Sequence, residues 1–231
     1  MAGTHVEVEC IAPSGSTRRT LRIEALIIAG WTGRDRAAME AHIEELVALG
    51  VRRPAVTPTF YRAAAALVTT DEAIEVIGQD SSGEVEPVIV SGPEGLWVGV
   101  GSDHTDRKVE TLGIALAKQL CPKPIAPMLW RLDDVAGHWD ELVLRSHAVV
   151  DGMRRLYQEG PVSVMLDPRD LMRRCGGGAA TLAPGTAMFC GTMAVQGEIA
   201  PAESFEIELE DPVLGRTIRH AYEIRTLPIV G

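Results

Sequence analysis

Glu84-Val-Glu86-Pro-Val-Ile-Val90, then Leu96-Trp-Val-Gly-Val100 and Gly101-Ser-Asp103-His104-Thr-Asp106-Arg107, is the stretch on which the reading of this chain turns. Two β-branched runs separated by Gly, Ser and Pro predict two strands joined by a turn. Residues i and i+2 of a strand share a face, so Glu84 and Glu86 present two carboxylates to one point. Asp103 follows the second strand in a Gly/Ser turn and brings a third. Three convergent oxygen donors suit a hard divalent cation such as Mg²⁺ or Mn²⁺. The bland alternative is a solvated strand face, which is what most such pairs are.

Outward from this stretch, short strands dominate. Residues 5–11 and 18–28 alternate around the turn Pro13-Ser-Gly-Ser and read as a hairpin. Ala37–Leu49 has helical spacing through Met39, Ile43, Leu46 and Val47, with Gly50 placed as a C-terminal cap. These segments predict a small N-terminal α/β module over residues 1–60. Pro54, Pro58 and Phe60-Tyr61-Arg62 read as a linker. Ile74–Ile77 continues the strands, and Asp106–Leu120 carries a helical stripe of Val109, Leu112, Leu116 and Leu120. Leu142–Val150, Arg154–Tyr157, Ala187–Cys190, Ser204–Glu210 and Thr217–Arg225 read as strands. Asp167-Pro168 opens a helix, with Asp as N-cap and Pro at the first helical position. About ten strands and three helices, not in βαβ order, predict an α+β fold built on sheet.

Composition narrows the function classes. The 231 residues are 46% hydrophobic, enough for a packed core, and the net charge of −10 argues against a nucleic-acid partner. No apolar run reaches the ~18 residues of a membrane-spanning helix. The first residues lack the basic and apolar regions of a secretory signal. Cys10, Cys121, Cys175 and Cys190 show no zinc-ligand spacing and read as reduced thiols. The expectation is a cytoplasmic protein.

Four motifs then fall in a telling order: Glu84-x-Glu86; Ser102-Asp103-His104-Thr105-Asp106-Arg107; Lys118-Gln-Leu-Cys-Pro-Lys-Pro; and Leu182-Ala-Pro-Gly185 through Cys190-Gly191-Thr192. In this order the chain resembles the fumarylacetoacetate hydrolase family, in a divergent, DUF2848-like bacterial branch, over roughly residues 73–231. The resemblance implies a mixed β-roll or β-sandwich with few peripheral helices, a β-rich catalytic domain over residues 61–231, and a homodimer. It implies Glu84, Glu86 and Asp103 as ligands of Mg²⁺ or Mn²⁺, Lys118 as the active-site lysine, and Gly191-Thr192 as contacts to substrate oxygen. It further implies a small 2-oxo acid or β-dicarbonyl substrate handled through a metal-stabilised enolate. C–C bond hydrolysis is the family's commonest reaction, beside decarboxylation, hydration and tautomerisation. A non-catalytic metal- or ligand-binding homologue is the reading from another class.

Several residues keep two readings. Lys118 supplies charge or a proton to the enolate, or is a solvent-facing lysine late on a helix. Arg107 pairs a substrate carboxylate, or forms an internal ion pair with Asp106 or Glu110. His104 is a general base, or points away because neighbours on an extended segment face oppositely. Asp106 is an outer-shell group or an N-cap. The family's hydrolases carry an N-Y-x-x-H segment ahead of the acidic pair. Here the counterpart, Pro58-Thr-Phe-Tyr61-Arg, holds no histidine.

Overall fold

Alternation sets the N-terminal strands of the computed structural model, which describes residues 3–48, 53–92 and 94–230. In β1 (Thr4–Ala12) Val6, Val8 and Cys10 are buried, and a turn at Gly15 returns the chain as β2 (Gly15–Ile23). Gly15 has φ +125°, a conformation glycine adopts at little cost. β3 (Ala25–Gly30) buries Leu26, Ile27, Ile28 and Ala29 on both faces. Helix α1 (Arg36–Ala48) follows, with Ile43 buried; the expected positions at Leu49 and Gly50 lie outside the described residues.

The predicted linker is instead strand β4 (Thr59–Ala63), antiparallel to β3, because the open edge of β3 offers it a ladder. Then come β5 (Val68–Thr69), β6 (Ala73–Ile77), β7 (Ser81–Ser82), β8 (Val85–Gly92) and β9 (Gly95–Ser102). β10 (Thr105–Asp106) leads into two short helices, α2 (Arg107–Glu110) and α3 (Ile114–Gln119). The single helix expected over Asp106–Leu120 is thus broken, at Gly113, whose extended φ of 168° is not helical. Its apolar stripe faces water: Leu112 is 81% exposed and Leu116 53%, while Ala117 and Lys118 are buried.

The remainder is β11 (Lys123–Pro124), β12 (Met128–Arg131), α4 (Leu132–Val135), a 3₁₀ segment at Ala136–Glu141, β13 (Val143–Val150), β14 (Met153–Pro161), α5 (Pro168–Cys175), β15 (Thr186–Phe189), β16 (Ser204–Asp211) and β17 (Arg216–Leu227). Asp167 caps α5 as its sequence predicts, accepting from Arg169 N at 2.8 Å.

Two sheets hold most of these strands, while β10 with β7 and β11 with β5 form two-stranded pairs apart from them. The larger runs β2-β1-β12-β9-β8-β15-β3-β4 and mixes parallel with antiparallel pairs; the smaller runs β14-β13-β16-β17-β6. Between them lies one core, where Val85, Ile89, Val98 and Met188 meet Leu144, Ile207, Leu209 and Ile218. The opposite face of the larger sheet carries a second core of Val6, Ile23, Ile28, Val88, Val90, Leu129 and Phe189. β3 belongs to both cores and pairs with β15, so the boundary drawn at residue 60 does not separate two cores. No described helix is long and apolar enough to cross a membrane, and all four cysteines are free.

Candidate metal centre

The hairpin of β8 and β9 builds the site. Glu86 pairs with Gly101 and Val85 with Ser102, and the ladder extends to Asp103 N, which donates to Glu84 O at 2.9 Å. Asp103 therefore lies opposite Glu84, beside Glu86, on the face that further along carries Val88. Gly101 is required here: a Cβ would lie 2.7 Å from Val88 Cγ2 and 2.8 Å from Phe189 Cε1. One carboxylate oxygen from each of Glu84, Glu86 and Asp103 lies within 4.8 Å of the others. Glu86 is 2% exposed and the Glu84 side chain 16%, so the pair is no solvated face, and Asp103 is fully buried.

Cations surround these acids. Lys118 Nζ bridges Glu84 Oε2, at 3.2 Å, and Asp103 Oδ2. Lys123, wholly buried, sits 3.1 Å from Asp103 Oδ1 and donates to the His104 carbonyl. Arg107 donates to Glu84 at 2.9 Å, Glu110 at 3.1 Å and Ser82 Oγ at 2.6 Å. Burial opposes charge on Glu84, but Arg107 and Lys118 outweigh it and hold the carboxyl at about 2. Burial and the neighbouring Asp103 charge push Glu86 well above the usual carboxylate range. Burial also opposes charge on Lys118, which Asp103, Glu84 and Glu86 overcome, so it stays an ammonium. Lys123 is lowered by burial, with Asp103 acting against that.

The other expected site residues are engaged elsewhere. Arg107 makes the ion pair with Glu110 that its spacing allowed, and a second with Glu84. His104 is buried with both ring nitrogens in use: Nδ1 lies 3.1 Å from Tyr222 Oη and Nε2 2.9 Å from Ser81 Oγ. Burial and the Lys123 charge bring it down to about 3, so it is neutral and turned from the carboxylates, as its place beside Asp103 on extended chain requires. Gly191 N–H donates to Glu86 Oε2 at 2.7 Å. Gly191 has φ +98°, and a Cβ there would meet Thr32 Oγ1 at 1.8 Å. Thr192 Oγ1 donates to Val85 O at 2.8 Å and accepts from Gln158 Nε2 at 2.8 Å. Both groups thus hold the acidic strand rather than an open oxygen site. Asp106 is the N-cap of α2, accepting from Val109 N at 2.8 Å.

Two residues of the site escaped the sequence reading. Lys123 had a signal, a lone lysine within Cys121-Pro-Lys-Pro-Ile-Ala, since a charge in an apolar run needs a buried partner. Gln158 had none, because its inward direction depends on a bulge in β14.

Solved structures share this architecture. A yeast protein of the fumarylacetoacetate hydrolase family superposes with TM-score 0.64 at 17% identity, over 90% of this chain and 95% of that one. Fumarylpyruvate hydrolase from Pseudomonas aeruginosa, in complex with Mn²⁺ and pyruvate, gives 0.63 at 17% over 96% and 97%. 2-Keto-3-deoxy-D-arabinonate dehydratase, complexed with magnesium and 2,5-dioxopentanoate, gives 0.62 at 15% over 92% and 77%. The fold is therefore of the fumarylacetoacetate hydrolase type, α+β with mixed sheets and few helices. Within it the chain belongs to the family described as protein of unknown function DUF2848, whose model matches residues 29–222. No curated protein matches the sequence.

Proposed function

We propose that the chain is a divalent-metal-dependent enzyme that forms an enolate from a small 2-oxo acid or β-dicarbonyl compound. The convergence of Glu84, Glu86 and Asp103 within 4.8 Å carries this reading. The donor set fits Mg²⁺ or Mn²⁺: it is all oxygen, and Asp103 Oδ1 is buried without a hydrogen bond, with Lys123 Nζ 3.1 Å away. Glu84, Glu86 and Asp103 would hold the ion, and the ion would act as a Lewis acid stabilising negative charge on a carbonyl oxygen. Lys118, mostly buried and held charged by the same carboxylates, adds positive charge beside that oxygen. Two proteins of the same fold that hold Mn²⁺ with pyruvate and magnesium with 2,5-dioxopentanoate support the substrate class.

His104 decides the order of reactions. C–C hydrolysis needs a base for water, and both its nitrogens are bonded to Ser81 and Tyr222. Decarboxylation needs no such base, because CO₂ leaves and the electrons of its broken C–C bond form the enolate, and it stands ahead of hydrolysis and of tautomerisation, which needs an acceptor for the α-proton. A homodimer and a cytoplasmic location belong to the same reading.

Mn²⁺ titration, with turnover of oxaloacetate, acylpyruvates and 2-oxo-4-enoates, tests it. Glu86→Gln is expected to weaken Mn²⁺ binding at least about tenfold, through loss of a ligand charge, and to abolish turnover. Unchanged affinity in that variant would sink the ligand assignment. Tight Mn²⁺ binding without turnover would leave a binding protein.

A further inference from the structure

Gln158 lies on β14, in the smaller sheet, yet its side chain works on the larger one. The β13–β14 register shifts between Ser146 and His147, so that Ser146 pairs with Gln158 and His147 with Leu156. Tyr157 is the extra residue, and both Tyr157 and Gln158 are buried, where regular alternation would turn one outward. The Gln158 amide is fully satisfied. Its Oε1 accepts from Val85 N at 3.0 Å and Ser146 Oγ at 3.1 Å. Its Nε2 donates to Thr192 Oγ1 at 2.8 Å and Met193 O at 2.6 Å.

The position of Val85 gives these bonds their meaning. The ladder from β15 to β8 runs out after Cys190 N, which donates to Pro87 O at 3.0 Å. Val85, two residues earlier, turns its N–H and C=O to the same edge with no strand beside it. Gln158 takes the N–H and Thr192 takes the C=O, while Gln158 and Thr192 bond each other. Val85 stands between Glu84 and Glu86, and the adjacent Gly191 N–H holds Glu86.

We propose that Gln158 is a positioning residue of the metal centre: it replaces the missing strand, clamping Val85 and the Gly191–Thr192 loop so that Glu84 and Glu86 converge. This rests on the metal reading above. Mn²⁺ affinity and thermal midpoint, measured for wild type, Gln158→Met, Thr192→Val and the double variant, test it. Gln158→Met is expected to weaken Mn²⁺ about tenfold, as loss of a group that orients a ligand does. Thr192→Val should lose less, and the double variant should bind no more weakly than Gln158→Met, since both break one clamp. A lower midpoint with Mn²⁺ affinity within about twofold of wild type would reduce Gln158 to a structural residue and overturn the proposal. Multiplying losses in the double variant would overturn the shared clamp. If Gln158→Met does not fold, Thr192→Val decides alone, an unchanged affinity overturning the proposal. A wild-type chain that binds no Mn²⁺ would overturn the metal reading and this one with it.

Discussion

An ionisable side chain taken out of water must find partners or lose its charge. Glu84 and Glu86 resolve this in opposite ways. Glu84 has Arg107 and Lys118 and is held low, whereas Glu86 has one backbone N–H and a like charge in Asp103, and is driven up. His104 resolves it a third way, by staying neutral between two hydroxyls. Its folded-state value of about 3, against 6.5 for the free side chain, means that the unfolded chain binds the extra proton first as pH falls. Its contribution to stability is complete above pH 6.5 and is lost progressively between 6.5 and 3. The slope over that window is about 1.4 kcal/mol per pH unit. His104→Gln removes the titration, so wild-type minus variant stability, from urea denaturation at pH 7, 6, 5 and 4.5, is expected to fall with that slope. A difference independent of pH would show that His104 titrates normally in the folded chain.

At the scale of the element, the β8–β9 hairpin fixes the distance between the carboxylates, and Gly101 fixes the hairpin. Gly101→Ala sets a methyl against Val88 and Phe189 at under 3 Å, and the strands must part. The expected cost is about 1–3 kcal/mol of stability, with weaker Mn²⁺ binding because Asp103 is two residues on. Denaturant midpoints and a Mn²⁺ titration read both, and unchanged affinity would detach the ligand geometry from the hairpin. This element was the legible part of the site. A period of two places Glu84 and Glu86 together, and a short turn brings Asp103 back to them. Strands β1, β6, β8, β9, β13 and β15–β17 were legible for the same reason. β4 was not, since its pairing depends on the distant edge of β3 rather than on Phe60-Tyr61-Arg62 itself. Nor was the break at Gly113: the stripe Leu112, Leu116, Leu120 promised a buried face, while the buried face carries Lys118, whose partners lie in the hairpin. The partners of Thr192 and Gly191 were hidden because they lie more than a hundred residues upstream, at Val85 and Glu86.

For the whole molecule the question is what holds one sheet against the other. Gln158 is one link. Another polar link centres on Asp211, fully buried at the end of β16, where it accepts from His138 Nε2 at 2.9 Å, Leu214 N at 3.0 Å and Arg216 Nε at 3.1 Å. Arg216 stacks its guanidinium 4.3 Å over the Trp130 ring of the larger sheet, so Asp211 ties the β16–β17 turn to the 3₁₀ segment and to β12. Asp211→Ala strips three donors of their acceptor and leaves Arg216 without its carboxylate. The expected loss is about 3 kcal/mol, a thermal midpoint lower by about 10 °C in a chain of this size. Because none of these Asp211 hydrogen bonds reaches β8 or the Gly191–Thr192 loop, Mn²⁺ affinity is expected to stay within about twofold of wild type. Calorimetric scans and Mn²⁺ titrations on Asp211→Ala beside Gln158→Met separate the two links. Equal losses of Mn²⁺ affinity in both would mean that any loosening of the sheets disturbs the carboxylates. A loss confined to Gln158→Met would locate their alignment in the clamp on Val85.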